Sequence, residues 1–103
     1  SIPSCANQED HVSMGANAAR HCLEILENVR MVIAIELMTA AQAVDQRPEG
    51  SSRLGTATAK VYSEIRQRVT VMVHDRPTSG DMQILSEFIQ TGTLPSQIQN
   101  VDW

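Results

Sequence analysis

The sequence predicts an all-α chain organised as a long-helix bundle. Three observations lead there. A helical pattern runs without a proline to about Asp45, with Gly15 its one glycine, near its start. Two shorter apolar-periodic segments follow, each bounded by residues that start and stop helices. No stretch alternates apolar and polar residues as a half-buried strand does.

Taken in order, residues 1 to about 7 read as a loop, with Pro3 and Ser4 as breakers. The long helix follows. Gln46-Arg47-Pro48-Glu49-Gly50-Ser51-Ser52 reads as a loop rich in breakers. A second helix is expected from about residue 56 to about residue 74, with Thr56 as its N-cap, and Arg76-Pro77 ends it. Ser79 then caps a third helix through about Gln90, with Asp81 in the first turn, where the helix dipole favours an anion. Gly92 stops it. The tail from Leu94 to Trp103 has no periodicity and reads as irregular.

The first helix is too long for its surroundings. Counted from Met14 to Asp45 it measures roughly 48 Å, whereas a compact domain of this size has a radius of gyration of about 13 Å. Its faces tell the same story. Glu24, Glu27, Asn28, Thr39, Gln42 and Asp45 fall on one stripe, and Leu26, Val29, Ile33, Leu37, Ala40 and Val44 fall opposite. Met31, Ile35 and Met38 join the polar side, so the middle of the helix is apolar nearly all round. Such a helix belongs inside a larger bundle, and two short helices cannot enclose it. The segment is therefore expected to pack against further chain, its own or a partner's, as an incomplete domain spanning 1–103. A long coiled coil fits less well, because no heptad with charged flanking positions is sustained.

Composition narrows the function. At 103 residues the chain is one domain at most, and 42% hydrophobic with 19% charged residues is ordinary for a globular protein. A net charge of −4 offers no footprint for nucleic acid or an anionic membrane. An aromatic content of 3% leaves no stacking platform for bases. The most apolar stretch, 31–44, contains Glu36 and is too short to span a bilayer. Ser1-Ile2-Pro3-Ser4 is not a secretion signal. The chain begins without a methionine, and Ser1 reads as an internal cut. Cys5 and Cys22 are the only cysteines; one disulfide is formally open, but free thiols in a cytoplasmic protein are expected.

The candidate chemistry lies in Asn7-Gln8-Glu9-Asp10-His11-Val12-Ser13-Met14, at the entrance of the long helix. A helix N-terminus stabilises an anion, so Glu9 could sit ionised there as a base or as the acceptor for a cationic ligand. The competing reading is capping, with Asn7 or Asp10 as N-cap and the rest solvated; N-caps of that kind are common, and the residue types alone favour it. His11, His21 and His74 have no metal-ligand spacing, so no metal site is expected. Phosphate loops and serine-hydrolase elbows are absent. Asp75-Arg76-Pro77 reads as a helix exit with a local ion pair, and the methionines as core fillers.

Extended to Gly15, that block resembles one carried by the aromatic amino acid ammonia-lyases, in the form found in those that act on histidine. Glu27-Asn28-Val29, Ala34-Ile35-Glu36-Leu37 and Ala40-Ala41-Gln42-Ala43 are similar to the family's long central helix, and Asp75-Arg76-Pro77 with Asp81 to its C-terminal stretch. The resemblance covers most of residues 4 to about 90, in the family's order. It implies a mostly helical homotetramer with a core of near-parallel helices and active sites built from several subunits. It also implies elimination of ammonia from an amino acid, through a methylidene-imidazolone electrophile made from an internal Ala-Ser-Gly. In the histidine enzymes the products are trans-urocanate and ammonia.

By the same resemblance Glu9 matches the pocket glutamate that contacts the substrate, Gln8 and Asn7 the pocket wall or its backing, and Asp10, His11 and Ser13 residues that position it. Phenylalanine-type relatives carry glutamine where Glu9 stands. A buried carboxylate wants a cationic or donor partner, which favours L-histidine as substrate; a tyrosine or phenylalanine ammonia-lyase or an aromatic aminomutase is the rival reading within the family, whose members share most of this block. No Ala-Ser-Gly occurs here; Thr78-Ser79-Gly80 is the nearest triplet. The electrophile is therefore expected elsewhere in the full-length protein, and this chain alone is expected to be inactive. A non-catalytic helical assembly module is the reading from another class.

Overall fold

The computed structural model describes the backbone of residues 7–92 and the side chains from Met14 to Gly92. Helix α1 (Asn7–Asp45) is followed by a 3-10 turn (Gly50–Arg53), helix α2 (Thr56–Arg68) and helix α3 (Ser79–Gln90). The described residues form an all-α, three-helix bundle without a strand. Among them no helix is long and apolar enough to cross a membrane.

The 39 residues of α1 make a rod about 58 Å long. It dominates the molecule, whose longest dimension is 67 Å and whose radius of gyration is 19.6 Å. The expected overhang is present. Every described side chain from Met14 to Val29 is exposed, and α1 enters the core only from Ala34 onward.

That core is small. Ala34 and Ala41 of α1 meet Ile65 of α2, Val69 just beyond it, and Leu85 and Phe88 of α3. Leu37, Met38, Val61, Tyr62 and Ile89 pack around them half-buried. The two alanines, seven residues apart, present little bulk where α2 and α3 pack against α1. The face used is not the stripe that the sequence marks as most apolar. It is turned by about a quarter of a revolution, at about 100° per residue, towards Ala34, Met38 and Ala41. Leu26, Val29 and Ile33, on the marked stripe, remain exposed.

Both short helices differ from expectation at their ends. Thr56 lies inside α2; its N-cap is Gly55, with no side-chain cap bond. The helix stops at Arg68, well short of His74, because Val69 turns extended (φ −132°, ψ 124°). Val69, Thr70 and Val71 are β-branched and favour that conformation. Val69 buries its side chain in the core as it leaves the helix, while Arg66 Nη1 donates to its carbonyl at 3.0 Å. In α3 the N-cap is Thr78, and Ser79 is already helical. Asp81 does occupy the first turn. Gly92 ends the helix at φ +76°, a left-handed conformation that suits glycine, with its N–H donating to Ile89 O at 3.2 Å.

Candidate functional site

The block that begins at Asn7 is helical, in the first described turns of α1. The first described turn of α1 begins at Asn7. Gln8, Glu9 and Asp10 follow Asn7 in that turn, and His11 comes just after. The side chains of all five lie outside the described residues, as does Cys5.

Among the described residues, His21, Cys22, His74 and Asp75 are exposed, and Cys22 is a free thiol. No group of three or more His, Cys, Asp or Glu side chains among them could hold a metal ion. Ser79 and Gly80 run in the first turn of α3, with Met82 N–H bonded to Thr78 O at 2.9 Å. That hydrogen-bonded helical backbone, without an alanine, does not fit a triplet that must cyclise to an electrophile.

A polar cluster does assemble where α1, α2 and the segment after α2 meet. The Asp45 carboxylate, in the last turn of α1, accepts from Arg66 Nε at 2.9 Å and Nη2 at 2.5 Å, and from the Tyr62 hydroxyl. The Asp45 and Arg66 side chains are only 15% and 14% exposed, so water screens this pair weakly. Arg66 also lies 5.7 Å from the Tyr62 ring centre. The Tyr62 hydroxyl is held above its ordinary pKa, chiefly because ionisation would forfeit its bond to Asp45, then by desolvation, with Arg66 opposing.

Two further contacts extend the cluster. Gln42 clasps the Met72 backbone from both sides, donating to its carbonyl at 2.8 Å and accepting from its N–H at 3.1 Å. Arg76 binds Asp81 at 2.8 Å and reaches back to Thr70 O at 2.8 Å. Arg76 therefore pairs with Asp81 of α3, and not with its neighbour Asp75 at a helix exit. Met38, Thr39, Gln42, Arg66, Met72 and Arg76 help line a cavity of about 270 Å³ beside these contacts.

What this cluster does chemically is hold elements together. Its ionised groups are paired, and no buried side-chain polar atom among the described residues lacks a partner. It offers no free base and no activated nucleophile. Sequence reasoning did not single out Tyr62 or Arg66, and it placed Gln42 and Asp45 on the polar stripe of α1 without a partner. A weak signal was available: Gln42 and Asp45 lie on the same side of the helix as Met38 and Ala41.

Residues 1–67 match the family model described as aromatic amino acid lyase. The histidine ammonia-lyase of Symbiobacterium thermophilum is 46% identical over 101 residues, covering 98% of this chain and 20% of that protein. That of Geobacillus thermodenitrificans is 48% identical over 98 residues, covering 95% and 19%. Histidine ammonia-lyase 1 of Fusobacterium nucleatum is 43% identical over 102 residues, covering 99% and 19%. The chain thus spans about a fifth of the length of these curated relatives. No solved structure matches it.

Proposed function

The chain belongs to the aromatic amino acid lyase family, and from that premise we propose that it is the C-terminal helical part of a histidine ammonia-lyase. The whole enzyme would eliminate ammonia from L-histidine to give trans-urocanate. The observation that carries this reading is the similarity to histidine ammonia-lyases over nearly the entire chain, which continues past residue 67, where the family model stops.

In this reading Glu9 contacts the substrate. Ionised at the N-terminal end of α1, where the helix dipole favours negative charge, it receives the imidazole or amino group of histidine. Of the two, the imidazole is the donor that a phenyl ring lacks. Gln8 lines the same pocket, and Asn7, Asp10 and His11 set the position of Glu9. The methylidene-imidazolone electrophile belongs to the rest of the protein, since this chain has no Ala-Ser-Gly. When present, that group supplies the electron sink for the elimination. This chain supplies the carboxylate that binds and orients the amino acid. Its exposed apolar helix suits the interior of a cytoplasmic homotetramer.

The test is to express the full-length protein and assay urocanate from histidine alongside cinnamate from phenylalanine and coumarate from tyrosine. Preference for histidine is expected; preference for either of the others would reassign the substrate. Glu9→Gln should lower histidine turnover by about 100-fold or more without altering the oligomer, and near-normal kinetics would take Glu9 out of the site. The 103-residue chain by itself should make no urocanate.

A further inference from the structure

The contacts of α1 are divided unevenly along its length. From residue 34 on it is pinned by Ala34, Leu37, Met38 and Ala41 in the core and by Gln42 and Asp45 in the polar cluster. Lower down, Glu27, Asn28, Arg30 and Met31 border a groove against Gln83, Ser86 and Gln90 of α3. Below that, every side chain from 14 to 26 is exposed. Among the described residues, the side-chain hydrogen bonds of α1 begin at Thr39, which donates to Ile35 O.

A helical segment of thirteen residues (14–26) is of marginal stability in water by itself, even with Ala16, Ala18, Ala19, Leu23 and Leu26 favouring the helix. Gly15 carries the helix-interior penalty of glycine. Asn17 is a weak helix former. Arg20 and Glu24 stand in the less favourable order for a pair four residues apart. Meanwhile Leu23, Ile25 and Leu26 are 61%, 49% and 49% exposed, so covering them would release considerable apolar surface from water.

We propose that α1 is two cooperative units joined near residues 27–31: a C-terminal half locked into the bundle, and an arm, 14–26, that opens and closes independently and closes when its apolar perimeter is covered. Local opening of this kind is set by how few tertiary contacts a segment makes. The arm leads directly into the turns that carry Glu9. On the reading given above, the turns that carry Glu9 would then be ordered only once the rest of the lyase covers the arm, and this chain by itself would be silent for a conformational reason as well as for want of the electrophile.

Amide hydrogen exchange on the full 103-residue chain, followed by mass spectrometry over a dilution series, tests the proposal. At the lowest concentration, amides in 14–26 should exchange within about tenfold of an unstructured chain, while those of 37–45, 57–68 and 82–90 exchange at least about 100-fold more slowly. Protection of the arm that appears only as concentration rises also supports it, since self-association then supplies the cover. Equal protection along all of α1 at every concentration would overturn it, and so would uniformly fast exchange in the bundle. Gly15→Ala is a second handle, because an added methyl group meets nothing within 4 Å. It should slow exchange in the arm by up to about fivefold and leave the bundle unchanged. No change in the arm would mean that intrinsic helix propensity does not govern it. The exchange pattern does not depend on substrate identity, so this proposal and the lyase assignment can fail separately.

Discussion

Tyr62, Asp45 and Arg66 form the tightest side-chain unit in the bundle, and each can be probed alone. Tyr62 is the only tyrosine, so tyrosinate absorbance reads it directly. Its folded pKa is raised, first by the bond to Asp45. A group raised on folding contributes stability that is fully present below its unfolded value, about 10, and lost as pH climbs through the folded value. The alkaline midpoint should therefore lie above about 10, and Asp45→Asn should bring it down; a midpoint unmoved by that change would separate Tyr62 from Asp45. The same substitution leaves the Arg66 guanidinium without its carboxylate in a poorly solvated place. It should cost roughly 1.5–3 kcal/mol, measured by denaturant unfolding. None of this was legible in the sequence. Asp45 and Arg66 are 21 residues apart, and only the return of α2 alongside α1 brings them together.

At the scale of elements, the helices themselves were legible because periodicity and punctuation are local signals. The start of α3 in its acidic first turn, its stop at Gly92 and the end of α1 at Asp45 all follow from nearby residues. The end of α2 did not, because it is decided from outside. Gln42 on α1 holds the Met72 backbone and Arg76 holds Thr70 O, so the chain after Arg68 is drawn out as an extended strap. Gln42→Ala would leave a backbone donor and acceptor unpartnered and should cost about 1–3 kcal/mol. Faster exchange at the Met72 amide should accompany that loss. An unchanged amide would mean that the strap is held by Val69 and Arg76 instead. Leu85, fully buried where α3 meets α1, is the larger lever: Leu85→Ala should destabilise the bundle by about 2–5 kcal/mol.

For the molecule as a whole, the sequence carried the main conclusion, since a helix apolar nearly all round cannot be satisfied by two short ones. The structure adds which surface is left over. Leu26, Val29 and Ile33 form an open stripe at 49%, 47% and 36% exposure. Charges placed there, as in Leu26→Lys with Ile33→Lys, should abolish oligomer formation by the full-length protein, as read by light scattering. An oligomer that survives both lysines would place the contact elsewhere. The candidate pocket was legible only as a resemblance, because a run such as Asn7 to His11 can cap a helix or bind a substrate with the same residues.

The quarter-turn offset between the buried face of α1 and its open stripe has a further consequence. Once the arm is covered and α1 is continuous, as proposed above, a single helix would wall two separate interiors and could take only one rotational setting. A substitution at Ala34 or Ala41 that rolled the helix to relieve crowding against α3 would swing Leu26, Val29 and Ile33 out of register with whatever lies on the other side. Tolerance at each face is therefore tied to the other: a harmful change inside the bundle should be rescued by compensating changes on the far side of the same helix, in residues that never touch it.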